Sequence, residues 1–148
     1  MFKINIKTYL RYCTPVIPTL HFFGRIGCYL VGCCYGEPFE SNFSVTYTHS
    51  LFAPNNIPLF PTQLTEAIAL LLIGIFLLIY INKFKGKHAF ELYIVLYGII
   101  RFILEFFRYD SYRGIISGFS TSQYISIFLI LSVLFFLLYK KKQIKKTF

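Results

Sequence analysis

Residues 64–82, LTEAIALLLIGIFLLIYIN, decide the fold. Glu66 is the one charge among these 19 positions. At 1.5 Å rise per residue a helix of that length reaches about 28 Å, close to the thickness of a bilayer's hydrocarbon core. Two more runs have the same length: residues 89–107, AFELYIVLYGIIRFILEFF, and residues 121–139, TSQYISIFLILSVLFFLLY. Residues 16–35, VIPTLHFFGRIGCYLVGCCY, form a fourth apolar segment, interrupted by His21, Arg25 and three glycines. This segment either crosses or re-enters the membrane, because glycines and an arginine suit a buried, cavity-lining stretch. The expected architecture is all-α: a polytopic integral membrane protein with three to four transmembrane helices, forming one membrane domain over residues 1–148.

Composition points the same way. Hydrophobic residues make up 56% of the chain and charged residues 14%, against about 45–50% and about 25% in soluble domains. Mean hydropathy is +0.61. Such a chain cannot cover a globule with charge, which excludes disordered, collagenous, coiled-coil and disulfide-scaffold classes. The net charge of +9 comes from 15 Lys+Arg against 6 Asp+Glu. A basic balance can signal nucleic acid, but the positions exclude it. Every lysine falls in one of three groups that flank the apolar runs: Lys3 and Lys7; Lys83, Lys85 and Lys87; Lys140, Lys141, Lys142, Lys145 and Lys146. Lysine retained on the cytoplasmic side fixes orientation. The turn KFKGKH (residues 83–88) and the tail KKKQIKK are then cytoplasmic, and residues 36–63 and 108–120 external. Residues 1–11 are cytoplasmic if segment 16–35 crosses. No A-x-A-like site follows a short apolar core, so no cleavable signal peptide is expected.

The outer loop, residues 36–63, is rich in Asn, Ser, Thr and Pro, and loops of this length are often functional. Val45-Thr46-Tyr47 reads as a short strand. Thr62 reads as the N-cap of the following helix, with Glu66 in the first turn favouring the dipole.

Ionisable residues inside a membrane are costly and mark functional sites by default. Here they are His21, Arg25, Glu66, Arg101, Glu105 and Arg108. Arg101, Glu105 and Arg108 are spaced i, i+4, i+7, which puts them on one helical face, with Tyr97 one turn further along. The topology sends Glu66, Arg25 and this face to the outer half of the bilayer, with Arg101 about 10 Å deeper than Arg108. Arginine where lysine is used elsewhere, at headgroup depth, fits an anionic lipid phosphate, which a guanidinium grips with a planar fork. Plainer readings stand beside this one. Arg101 and Glu105 form a self-neutralised pair while Arg108 snorkels; His21 caps backbone groups; Tyr93 and Tyr97 are packing aromatics. Cys13, Cys28, Cys33 and Cys34 form no CxxC pair, so no zinc ribbon or thioredoxin motif is present; they read as small apolar residues at helix contacts.

Four ordered stretches carry a resemblance. Gly24-Arg25-Ile26-Gly27-Cys28-Tyr29-Leu30-Val31-Gly32-Cys33-Cys34-Tyr35-Gly36 resembles the signature GRIGNFINGE-x-x-G of the prolipoprotein diacylglyceryl transferases. Pro61-Thr62-Gln63-Leu64-Thr65-Glu66 resembles that family's HPSQLYE. Residues 97–108, YGIIRFILEFFR, resemble its YG-x-x-RF-x-x-EFFR, and residues 120–126, STSQYIS, its SMGQ-x-LS. Cys28 stands where the family has asparagine, Cys33 where it has glutamate, and Phe60 where it has the histidine before PSQ. The family chain is nearly twice as long, with about three more N-terminal spans. The chain therefore resembles a short, cysteine-bearing branch, or the C-terminal half of a split enzyme.

The resemblance implies transfer of a diacylglyceryl group from phosphatidylglycerol, or a similar anionic lipid, to the cysteine thiol of a lipobox-bearing prolipoprotein. Glycerol phosphate leaves at the outer face of the bacterial cytoplasmic (inner) membrane. It implies catalytic roles for Arg25 and Arg108, which bind or polarise the headgroup phosphate, and for Glu105, which orients them. His21, Glu66 and Glu105 are the candidate bases, His21 having the best intrinsic pKa. The implied substrate-binding residues are Arg25, Arg101, Arg108, Gly36, Gln63 and Glu66. No metal or other cofactor and no nucleic acid is implied, and a partner membrane subunit is an option. The alternative functions are a non-catalytic membrane subunit or lipid-binding scaffold of the same fold, and a membrane thiol-redox protein.

Overall fold

Each long apolar run is helical. The computed structural model describes residues 6–109, 114–116 and 118–146. Lys3 of the basic N-terminal group, and residues 110–113 and 117 of the expected outer connection, lie outside the described residues. The helices are α1 (Ile6–Cys13), α2 (Val16–Val31), α3 (Thr62–Phe84), α4 (Ala89–Leu104) and α5 (Thr121–Lys146). A single 3₁₀ turn, Glu105–Phe107, follows α4.

α2 packs on α3, α3 on α4 and α4 on α5. Small residues set two of these crossings, letting backbones approach as in membrane bundles. A Cβ added to Gly74 of α3 would lie 3.7 Å from Pro18 and Thr19 of α2. One added to Gly98 of α4 would lie 3.1 Å from Ile130 of α5. Ile73, Leu77 and Ile81 of α3 bury against Ala89 and Tyr93 of α4. The outward faces are apolar as well: Leu72, Phe128 and Phe135 are more than half exposed. Apolar surface on that scale needs an apolar surrounding. Among the described residues two helices are long and apolar enough to cross a membrane, α3 and the Thr121–Gln143 stretch of α5. α2 and α4 have 16 residues each, about 24 Å of helix.

The helix ends depart from the expected ones. α2 stops at Val31 instead of running to residue 35, because Gly32 takes φ +82 and its N–H bonds back to the Cys28 carbonyl at 2.9 Å. This is the left-handed glycine cap. α4 stops at Leu104 instead of 107; the chain tightens into the 3₁₀ turn and Arg108 is extended. Thr62 is not an N-cap. Pro61 precedes the helix, and the Thr62 hydroxyl donates to the Cys34 carbonyl at 2.8 Å. Glu66 lies past the first turn of α3 and is taken up by ion pairs rather than by the helix dipole. The lysine tail continues α5, where cations near a helix C-terminus are favoured.

α1 was not expected. Eight residues are too few to hold a helix alone; it is docked against α4, and Arg11 donates to the Lys85 carbonyl at 2.8 Å. In the loop between α2 and α3, β1 (Val45–Thr46) pairs antiparallel with β2 (Pro58–Leu59). Tyr47 falls just outside the strand and bridges to Asn55. A second hairpin, β3 (Ile115–Ile116) with β4 (Phe119–Ser120), leads into α5. There Ser120 and Gln123 form a reciprocal capping box: the Gln123 N–H donates to the Ser120 hydroxyl at 3.2 Å and the Ser120 N–H to Gln123 Oε1 at 2.9 Å.

Candidate functional site

The C-terminal ends of α2 and α4 meet the N-terminal ends of α3 and α5 at one end of the bundle. Three backbone segments brace it. The Glu37 N–H donates to the Phe107 carbonyl at 3.0 Å, the Phe60 N–H to the Glu37 carbonyl at 2.9 Å, and the Tyr109 N–H to the Tyr35 carbonyl at 3.2 Å. Gly36 lies between them, bridged to Arg108. A Cβ there would come to 2.5 Å from the Phe60 carbonyl oxygen and 2.9 Å from that of Phe107. The close backbone approach at Gly36 is therefore to this chain's own carbonyls, those of Phe60 and Phe107. Phe60 fills the space between Phe39 and Phe107, with ring centroids 5.5 Å and 5.2 Å away.

Two buried carboxylates organise the charges. Glu66 on α3 is 2% exposed. Its Oε1 lies 2.9 Å from Arg25 Nη2 on α2 and accepts the Tyr97 hydroxyl of α4 at 3.1 Å; its Oε2 lies 3.7 Å from Arg101 Nη1. Glu105, also 2% exposed, lies 2.9 Å from Arg101 Nη2 and 3.6 Å from Arg108 Nη1. The i, i+4, i+7 set thus stays together although the helix ends at its middle member. Arg101 Nη2 also donates to the Ser122 hydroxyl of α5 at 3.0 Å. Three guanidinium groups surround two carboxylates, which leaves one net positive charge in a place shielded from water. Burial makes that charge count, since screening by solvent is weak there. Arg25 Nε and Arg101 Nη1 are buried with no hydrogen-bond partner among the described residues.

His21 faces this cluster. Its Nε2 lies 4.0 Å from Glu66 Oε1 and 3.5 Å from the Tyr97 hydroxyl, and its ring meets Tyr97 edge-on at 4.9 Å. Gln63 lies one turn above Glu66, and its amide nitrogen donates to the Cys33 carbonyl at 2.8 Å. Of the expected site residues, the fold brings His21, Arg25, Glu66, Arg101, Glu105 and Arg108 into one connected set, while Gly36 and Gln63 shape its frame. Tyr97, read from sequence as a packing aromatic, hydrogen-bonds to Glu66. Ser122 belongs to the stretch STSQYIS, where the sequence assigns it no role; the structure makes it a hydrogen-bond partner of Arg101.

Beyond the end of α2 three thiols gather. The sulfur atoms of Cys28, Cys33 and Cys34 all lie within 4.8 Å of one another, each half-buried. Among the described residues this is the one group of His, Cys, Asp or Glu placed to hold a metal ion. The loop is tied to α2 alongside them: the Tyr47 hydroxyl donates to the Tyr29 carbonyl at 2.9 Å. Burial pushes the Tyr47 phenol up to about 12, so it remains a neutral donor at ordinary pH.

A cleft of about 230 Å³ opens between α4 and α5, with Tyr97, Arg101 and Ser122 at its polar part and Ile125 and Leu129 along its wall. A larger apolar cleft of about 450 Å³ lies at the opposite, lysine-bearing end, beside Arg11, Lys87 and Lys140. It contains none of the expected site residues.

Comparison with known proteins bears on this arrangement. A family model described as prolipoprotein diacylglyceryl transferase matches residues 1–139. A phosphatidylglycerol–prolipoprotein diacylglyceryl transferase of Clostridium tetani is 47% identical over 132 residues, covering 88% of this chain and 53% of that protein. The protein of Clostridium perfringens with the same name and the number 2 is 39% identical over 147 residues, covering 98% of this chain and 57% of its own. One from Dehalococcoides mccartyi is 36% identical over 142 residues, covering 94% and 54%. The chain thus spans about half the length of the curated relatives it matches. No solved structure matches it.

Proposed function

The chain belongs to the prolipoprotein diacylglyceryl transferase family, and from that premise we propose that it transfers the diacylglyceryl group of phosphatidylglycerol to the thiol of a prolipoprotein cysteine. The observation that carries this reading is the buried set Arg25, Arg101 and Arg108 around Glu66 and Glu105. It is cationic by one charge, and two of its N–H donors have no hydrogen-bond partner among the described residues. Buried donors of that kind call for an acceptor, and phosphate oxygens are the acceptor a guanidinium fork matches.

In the proposed reaction the thiolate sulfur attacks the glyceryl carbon that carries the phosphate. A carbon–sulfur bond forms, the carbon–oxygen bond breaks, and its electron pair leaves on the phosphate oxygen of glycerol phosphate. The guanidinium groups bear the charge that develops there. Donors fixed beforehand in a water-poor site are the largest kind of catalytic contribution. Glu66 and Glu105 hold the guanidinium groups in place, so little reorganisation is left for the reaction itself. The cleft between α4 and α5 leads from the apolar outer surface to Arg101 and Ser122, a path suited to an acyl chain whose headgroup lies at the arginines.

We further propose that residues 1–148 form one membrane domain with four crossings, made by α2, α3, α4 and α5, in the bacterial cytoplasmic membrane. The lysine groups are cytoplasmic and the arginine end faces outward. Lysine placement supports this orientation, as does the gathering of His21, Arg25, Glu66, Arg101, Glu105 and Arg108 at the end away from the lysines.

The test is direct. The purified full chain is mixed in detergent with phosphatidylglycerol and a lipobox peptide, and the peptide mass is read. A gain of one diacylglyceryl group on the cysteine supports the proposal. An unmodified peptide, with phosphatidylglycerol still bound, would identify the chain as the lipid-binding scaffold of the same fold.

A further inference from the structure

A thiol attacks carbon only as its thiolate, so something has to take the proton. The carboxylates of the cluster are poorly suited to it: Glu66 is held by Arg25 and Tyr97, and Glu105 by Arg101 and Arg108, which leaves His21, with its Nε2 turned to Tyr97 and Glu66, as the one expected base. The cysteines at the end of α2 offer another way. Gly32 at φ +82 turns the chain back so that Cys33 sits over Cys28, its N–H on the Cys28 carbonyl at 3.2 Å. Cys34 holds φ +59, a conformation that costs a non-glycine residue free energy. The first turn of α3 clamps both carbonyls, Gln63 on Cys33 and Thr62 on Cys34, each at 2.8 Å. The turn that brings the three sulfurs together is thus built from both sides. Their separations, within 4.8 Å, are one small closure away from the about 3.8 Å that tetrahedral zinc with Zn–S bonds of about 2.3 Å requires.

We infer that Cys28, Cys33 and Cys34 form a three-thiolate zinc site whose fourth position takes the acceptor cysteine, and that coordination supplies the thiolate for lipid transfer. This inference rests on the transferase reading above. Three protein ligands and one open position form the catalytic pattern for zinc, whereas a closed set of four is structural. Soft sulfur ligands select zinc or Cu(I) over hard cations. A coordinated thiol is deprotonated outright, its proton passing to solvent. The metal-held sulfur then forms the carbon–sulfur bond as the carbon–oxygen bond breaks, with no change in oxidation state. The site is well placed for this. Cys28 lies one turn beyond Arg25 on α2, about 4.5 Å along the axis, and Gln63 and Glu66 share the first turns of α3. Three thiolates with Zn²⁺ carry one net negative charge, opposite in sign to the arginine cluster beside it.

The experiment uses the full chain purified in detergent and titrated with Co²⁺ as a visible stand-in, then with Zn²⁺. One Co²⁺ per chain with thiolate-to-metal charge-transfer absorption is expected, displaced by one Zn²⁺. Cys28→Ser and Cys33→Ser should each weaken zinc binding by more than the about 10–100-fold that loss of a hydrogen-bond partner behind a ligand costs, while Cys13→Ser leaves it unchanged. A lipobox peptide should alter the cobalt ligand-field bands, and its serine analogue should not. Thiol alkylation of the unmutated chain reports independently of variant folding: zinc should protect three cysteines and leave Cys13 reactive. Absence of the charge-transfer band, four equally reactive thiols with zinc present, or binding of Cu(I) alone would overturn the inference. Full-rate transfer by metal-free protein would overturn it too, and leave the transferase reading standing. A peptide-dependent cobalt spectrum in a protein that transfers nothing would support the metal site and sink the transferase reading instead.

Discussion

Replacing Glu66 by glutamine keeps the shape of the side chain and removes one of two negative charges among three arginines. Glu66 is 2% exposed, with Arg25 at 2.9 Å and Arg101 at 3.7 Å. The amide oxygen still accepts the Tyr97 hydroxyl, so the loss is one of charge compensation. The cluster moves from one net positive charge to two, in a region where water screens little. Breaking a buried ion pair by removing one partner costs about 3–5 kcal/mol, mostly the cost of the charge left behind. Adding Arg25→Met to Glu66→Gln returns the cluster to one net positive charge, from two arginines and one carboxylate. The double variant should therefore recover on the order of 1–3 kcal/mol relative to the sum of the single effects. The assay is unfolding of purified protein in mild detergent by rising SDS fraction, followed by loss of helical circular dichroism. Single variants within about 0.5 kcal/mol of the parent, with additive effects, would refute the claim that Glu66 compensates the arginines.

Three further outcomes are expected. Gly36→Ala should destabilise by about 1–3 kcal/mol in the same unfolding assay, because the new methyl group meets the carbonyl oxygens of Phe60 and Phe107. Ser120→Ala should cost about 1 kcal/mol through loss of the capping box, and Gln123→Ala should cost no more when added to it, since the two side chains act as one unit. Reporter fusions after Lys87 and after Lys146 should read as cytoplasmic and a fusion after Asn56 as external; a cytoplasmic signal at Asn56 would invert the proposed orientation.

The apolar helices are legible in sequence because a run of 19 residues with one charge, as at residues 64–82, has few other uses. The charged cluster is legible for a related reason. Arg101, Glu105 and Arg108 are too costly in a bilayer to be incidental, and their spacing survives the change from α to 3₁₀ geometry. Two glycine effects were harder to read. Gly32 lies inside an apolar stretch that composition extends to residue 35, yet its left-handed cap ends α2 and throws Cys33 and Cys34 back toward Cys28. Spacing rules built on CxxC pairs do not register that turn. The second is Gly36, whose neighbours, Phe60 and Phe107, come from two segments distant in sequence. Thr62 illustrates a general limit: its hydroxyl reads as a local cap, but the Cys34 carbonyl, 28 residues away, takes it instead. Tyr97 and Ser122 likewise owe their partners to packing across helices, which local pattern does not encode.

The most direct test of the arginine site is kcat/KM for diacylglyceryl transfer from phosphatidylglycerol to a lipobox peptide, measured for the parent chain, Arg25→Ala and Arg108→Ala. Loss of a preorganised donor at a developing oxyanion lowers rate by about 10²–10³-fold. Each alanine variant should fall by that factor while remaining folded, and Arg25→Lys and Arg108→Lys should fall in between because a point charge replaces a fork. Undiminished kcat/KM in both alanine variants would contradict the account and place the phosphate elsewhere.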